Sequence, residues 1–111
     1  MALFTWLAGL FSIRDKASSL YESGLKKAKS QNHAGAIDDY TLAIDMPNAS
    51  FQVKAMAQYN RALVQVAANN DTQAVEDLNV VLAMKETLTN VKSMARQQLL
   101  RIEGRSAKQR N

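Results

Sequence analysis

Residues 53–57 read Val53-Lys54-Ala55-Met56-Ala57, and 38 positions later residues 91–95 read Val91-Lys92-Ser93-Met94-Ala95. The same offset relates Lys16, Ala17, Tyr21 and Leu25 to Lys54, Ala55, Tyr59 and Leu63. It also relates Asn32, Ala36, Asp39 and Met46 to Asn70, Ala74, Asp77 and Met84, and Ile37-Asp38 to the similar Val75-Glu76. A fixed period of this size marks a stack of like units, each burying its apolar face only against a neighbour. Such stacks mostly present surfaces to other proteins, so the repeat implies a broad class of function without naming a partner.

Apolar spacing within each unit is helical. Leu20, Tyr21, Gly24, Leu25 and Ala28 fall on one side of a helix over 16–30, and Ala36, Ile37, Tyr40, Ala43 and Ile44 on one side of a helix over 34–46. Pro47 stops the second helix. Ser50 is the expected cap of a third helix over 51–67, and Asn70 with Gln73 resembles a capping box for a fourth over 71–84. A fifth is expected from Thr89 or Asn90 to 103, ending at Gly104, with 105–111 an unstructured basic tail. No segment alternates with period two. The expected fold is therefore all-α: antiparallel helix pairs in an α-α superhelix over residues 16–104, preceded by an apolar helix over 1–13.

The pairs resemble the tetratricopeptide repeat, whose pattern is W-x2-L-G-x2-Y, then A-x3-F, then P, over about 34 residues. The first unit offers Leu20-x2-Ser23-Gly24-x2-Lys27, Ala36-x3-Tyr40 and Pro47; the second offers Gln58-x2-Arg61-Ala62-x2-Gln65 and Ala74-x3-Leu78, with Lys85 in the place of Pro47. Small residues recur where the helices of a pair approach closely, and the run Tyr59-Asn60-Arg61-Ala62 is common in the family. The match spans 16–103 as two and a half units. It departs in its longer period and in polar Ser23, Lys27, Arg61 and Gln65, where the family is usually apolar.

The resemblance implies a concave face lined by the first helix of each pair: Ser18, Tyr21, Leu25 and Lys29, then Met56, Tyr59, Asn60, Leu63 and Val66, then Met94, Gln97 and Arg101. It implies non-catalytic binding of a protein or peptide in an apolar groove. Chaperone-binding members grip a C-terminal carboxylate with Lys, Asn and Arg. The corresponding places here hold Tyr21, Leu25, Asn60, Met94 and Gln98, of which only Asn60 matches, so that clamp is not expected.

Residues 1–13 are almost wholly apolar, with Leu3, Phe4, Leu7, Leu10 and Phe11 along one helical stripe widened by Trp6. The segment lacks a basic leader and a clear cleavage site, so a signal peptide is not expected. It falls short of the ~20 residues that span a bilayer, and Ala2 excludes N-myristoylation. Three placements are open to Phe4, Trp6, Leu7, Leu10 and Phe11: on the repeats, in a second copy of the chain as a homodimer, or in a membrane interface. The last makes a membrane-surface adaptor the alternative function. The expected location is cytoplasmic, with peripheral membrane attachment in that case.

Charge and chemistry exclude more than they assign. At 47% hydrophobic and 22% charged residues, the 111-residue chain is an ordinary globular domain. The net +4 is concentrated at the C-terminal end, where Lys92, Arg96, Arg101, Arg105, Lys108 and Arg110 oppose Glu103 alone. These bases lack interleaved aromatics, so nucleic acid is a disfavoured partner. The chain has no cysteine and one histidine, His33 in a turn, which cannot build a usual zinc site. Asp38-Asp39 and Glu76-Asp77 are adjacent on a helix, hence about 100° apart, and are read as favouring a helix N-terminus. No enzyme activity, metal or cofactor is expected.

Overall fold

The structure, a computed structural model, describes the backbone of residues 2–85 and 87–110 and the side chains of residues 16–85 and 87–110. It contains five helices: α1 (Ala2–Lys29), α2 (His33–Asp45), α3 (Phe51–Ala67), α4 (Asp71–Ala83) and α5 (Thr89–Arg110), with no strand among the described residues. Each helix packs against the next. In addition α1 touches α3 and α3 touches α5, whereas α2 and α4 do not touch each other among the described residues. The odd-numbered helices therefore form one layer and the even-numbered ones lie behind it, an arrangement compatible with a helical repeat.

The sequence repeat is a conformational repeat. Gln31 and Asn69, 38 positions apart, both take a left-handed conformation, with φ of 62° and 63°. Around each, the same two hydrogen bonds close the helix: Asn32 N–H to Lys27 O and Gln31 N–H to Ala28 O in one unit, Asn70 N–H to Gln65 O and Asn69 N–H to Val66 O in the other. This is the Schellman closure, which satisfies carbonyls left over at a helix end. Met46 and Met84 both leave their helices in extended backbone, with ψ of 123° and 121°. Pro47 imposes that conformation on Met46; Met84 adopts it before Lys85 without a proline.

Helix starts are less uniform. Ser50 caps α3, its Oγ accepting from Val53 N–H at 3.1 Å. Asn32 caps α2 by accepting from Gly35 N–H at 3.0 Å. Asn70 corrects the capping-box expectation: its side chain caps nothing and donates instead to Gln73 Oε1 at 3.0 Å. At α5 the Leu88 carbonyl accepts the first helical bonds, from Val91 and Lys92, while Asn90 Oδ1 accepts only from the adjacent Val91 N–H.

Two boundaries differ from expectation. α1 runs through 14–16 without a break, so residues 2–13 continue the first helix; the packing of Phe4, Trp6, Leu7, Leu10 and Phe11 lies outside the described side chains. α5 passes through Gly104, which takes no positive φ, and continues to Arg110. Lys108 and Arg110 in its last turn favour that end electrostatically.

The core consists of two repeat-related clusters. Ala36, Tyr40, Ala43, Ala57 and Val64 form the first, and Ala74, Leu78, Val81, Ala95 and Ile102, each 38 residues on, lie in the second. Helix α3 contributes to both, with Ala57 and Val64 in one and Tyr59 and Ala62 in the other. The equivalent positions of α1 are polar. Where α3 and α5 bury Ala57, Val64, Ala95 and Ile102, α1 carries exposed Ser19 and Lys26. On the outer side of α5, Leu100 is 67% exposed and flanked by exposed Arg96 and Glu103.

Within each pair a small residue faces a large one. A Cβ on Gly24 would lie 2.6 Å from Cε1 and 2.7 Å from Cδ1 of fully buried Tyr40. In the second unit the corresponding pair is Ala62 and Leu78. Gly24→Ala is therefore expected to cost about 1–3 kcal/mol by overpacking, and Tyr40→Leu to destabilise through the void it leaves. The double variant recreates the second unit's pairing, so its loss in thermal melts should be smaller than the sum by about 0.5–3 kcal/mol. Additive losses would show that the two positions do not share one space.

Candidate functional site

The even-numbered helices cover one side of α1, α3 and α5 and leave the other open. Two clefts lie along that open layer. The first, between α1 and α3, is lined by Leu25, Ala28, Leu63 and Ala67, with Lys29, His33 and Asn60 at its polar parts. The second, between α3 and α5, is lined by Val66, Gln98, Arg101, Gly104, Arg105 and Lys108. Both clefts are mainly apolar in surface; the second carries three basic side chains, Arg101, Arg105 and Lys108, where the first carries Lys29.

The first cleft has a fixed frame. Asn60 donates from Nδ2 to Tyr21 Oη at 3.0 Å, joining α3 to α1, and to its own helix at Met56 O at 2.9 Å. The Tyr21 ring lies 5.9 Å from that of Tyr40, tilted by 41°. Burial pushes the Tyr40 hydroxyl up to about 12, aided by the neighbouring Tyr21 and Asp39. Burial also raises Tyr21, against the opposing effect of Asn60. Both hydroxyls therefore stay neutral at physiological pH. Asn60, the one residue matching a carboxylate clamp, is committed to Tyr21.

The expected groove residues divide. Leu25, Leu63 and Val66 line the clefts, as does Arg101, which is exposed. Tyr21, Met56 and Met94 are half-buried and pack mainly on the core clusters. Gln97 is exposed on α5 and lines neither cleft. Tyr59 is a correction: it is only 7% exposed and belongs to the core between α3, α4 and α5. As the central helix, α3 has neighbours on both flanks, and a residue that stands half-open on α1 is covered there. His33, read as a turn residue, begins α2 and reaches the first cleft. Arg105 and Lys108, expected in an unstructured tail, lie on α5; their helical spacing of four and seven residues from Arg101 is the signal for it in the sequence.

A third concavity, lined by Phe51, Lys54, Met84, Lys85 and Thr87, opens at the start of α3. Phe51 is 65% exposed beside it.

The carboxylate pairs are also corrected. Asp38 and Glu76 are exposed, but Asp39 and Asp77 are buried at 7% and 6% exposure. Asp39 accepts from Ser23 Oγ at 2.6 Å and pairs with Lys27 Nζ at 3.0 Å. Asp77 accepts from Arg61 Nε and Nη2 at 2.8 and 2.7 Å and from Gln58 Nε2 at 2.8 Å. Arg61 Nη1 also donates to Thr41 on α2 at 2.9 Å, linking three helices. These side chains fasten helices and offer no open acid–base pair. Among the described residues no cluster of His, Cys, Asp or Glu could hold a metal ion, and no helix is long and apolar enough to cross a membrane.

No protein-family model, curated protein or solved structure matches the chain.

The Ser23 hydroxyl, then Lys27, holds the Asp39 carboxyl below its ordinary range despite burial. A depressed folded-state pKa means that the unfolded chain binds more protons in the acid window. The stabilisation is present above the unfolded value of about 3.9 and is lost as pH falls below it toward the folded value. Melts of Asp39→Asn from about pH 5 down to about pH 2 should therefore show a shallower acid loss than the parent chain. Parallel acid limbs would show that Asp39 is not a source of the pH dependence.

Proposed function

We propose that the chain is a non-catalytic module of the tetratricopeptide-like kind, binding a protein or peptide segment along the layer formed by α1, α3 and α5. The observation that carries this reading is the apolar cleft between α1 and α3, where Leu25 and Ala28 face Leu63 and Ala67 across a frame tied by Tyr21 and Asn60. An apolar concavity with a few fixed polar groups is the usual form of a recognition site. The repeat supports the same reading, because stacked helix pairs create extended binding surfaces. The buried aspartates make helix-fastening bonds, which gives the polar chemistry a structural use.

Ala67 is exposed on the rim of this cleft, so it can be enlarged without disturbing the core. Peptides selected from a displayed random library on the full chain are expected to lose about tenfold or more in affinity on Ala67→Trp, with the melting temperature unchanged. Phe51→Ser should leave their binding intact. The reverse outcome, loss on Phe51→Ser with Ala67→Trp silent, would move the site to the concavity at the start of α3.

A further inference from the structure

We infer that the segment recognised on this face is an extended acidic–apolar peptide, with an apolar residue in the α1/α3 cleft and carboxylate side chains in the α3/α5 cleft; this rests on the peptide-binding reading above. The inference comes from how equivalent positions change along the stack. Leu25 on α1 corresponds to Leu63 on α3 and to Arg101 on α5, and Lys29 corresponds to Ala67 and to Arg105. The open face thus passes from leucine to arginine at one and the same structural position.

The α3/α5 cleft gathers Arg101, Arg105 and Lys108 on one side of α5. Arg101 and Lys108 make no salt bridge among the described residues. Arg105 meets Asp71 only at 3.5 Å, with the two side chains 50% and 41% exposed, a pair that contributes little in water. The one acid of α5, Glu103, lies on another side of the helix, beside Val75, Ser106 and Gln109. Positive charge is therefore collected beside an apolar cleft without an internal counter-charge of comparable strength. Such a patch favours a carboxylate-bearing partner and repels a basic one.

Geometry adds a spacing. Packed helices stand about 8–10 Å apart, and extended chain advances about 3.3 Å per residue. About three residues therefore carry a ligand from one cleft to the next. A polynucleotide fits less well: it would need stacking surfaces, and among the described side chains Tyr21 and Tyr40 are packed against each other and Tyr59 is buried.

The test uses fluorescein-labelled, C-terminally amidated peptides, which carry no terminal carboxylate, and fluorescence anisotropy on the full chain. One probe places a leucine about three positions from a pair of glutamates; others replace the glutamates by glutamine or lysine, or the leucine by serine. The acidic–apolar probe should bind about tenfold tighter than the glutamine probe at low salt, and the gap should close near 0.5 M salt. Arg101→Gln with Lys108→Gln should erase that gap while leaving the glutamine probe unchanged. Moving the glutamates next to the leucine should weaken binding. Equal affinity of the glutamine and glutamate probes would overturn the inference while leaving peptide binding in place. Failure of every probe, with library-selected peptides still binding at Ala67, would also overturn it. So would a single-stranded oligonucleotide of equal charge that binds as tightly as the acidic probe.

Discussion

The close approach of two helices at one small residue per pair governs this molecule. Gly24 admits the Tyr40 ring, and Ala62 admits Leu78. The sum of sizes matters more than either residue alone: the unit with the larger ring has no side chain opposite, and the unit with a methyl has the smaller partner. Helices of 13 and 17 residues are marginal in isolation. Without this contact the pairs would lose the burial that makes them helices, and with them the layer of α1, α3 and α5 that offers a surface.

The polar residues at the pair interface are a second fastening. Asp39 and Asp77 occupy one structural position but are answered differently, by Ser23 and Lys27 in the first unit and by Gln58 and Arg61 in the second. The partners have changed between the units while the carboxylate and the bond across the pair have been kept. The arginine version reaches further, because its fork grips both carboxylate oxygens and leaves Nη1 for Thr41 on the preceding helix. What looked in the sequence like a departure from an apolar pattern is thus a polar link between helices.

Much of the fold could be read beforehand. The period of 38 located α2, α3 and α4 within a residue or two at both ends, because turns punctuate it at Gln31 and Asn69 and the small–large pairs repeat. What escaped was decided by neighbours. Tyr59 has the sequence surroundings of Tyr21 but stands on a helix flanked on both sides, so exposure could not be transferred from one to the other. Asn70 has a capping residue's chemistry and spends it on Gln73. Gly104 reads as a stop, yet nothing lies within 4 Å of where its Cβ would be and the backbone simply continues. The candidate site was legible at Leu25, Leu63, Val66 and Arg101. Its extension to Arg105 and Lys108 was hidden by the assumption that a basic terminus is unstructured.

Among the described side chains, α3 alone contributes to both apolar clusters. The two ends of the molecule therefore communicate through one element. In a longer array, one unit can fray while the rest stands, because many independent junctions share the load. Here a single junction couples everything, so loss of α3 order removes the support of α1–α2 and of α4–α5 at once. The chain should behave as one cooperative unit despite its modular ancestry in sequence, and a segment bound across α1, α3 and α5 would act on the whole of it by steadying the helix in the middle.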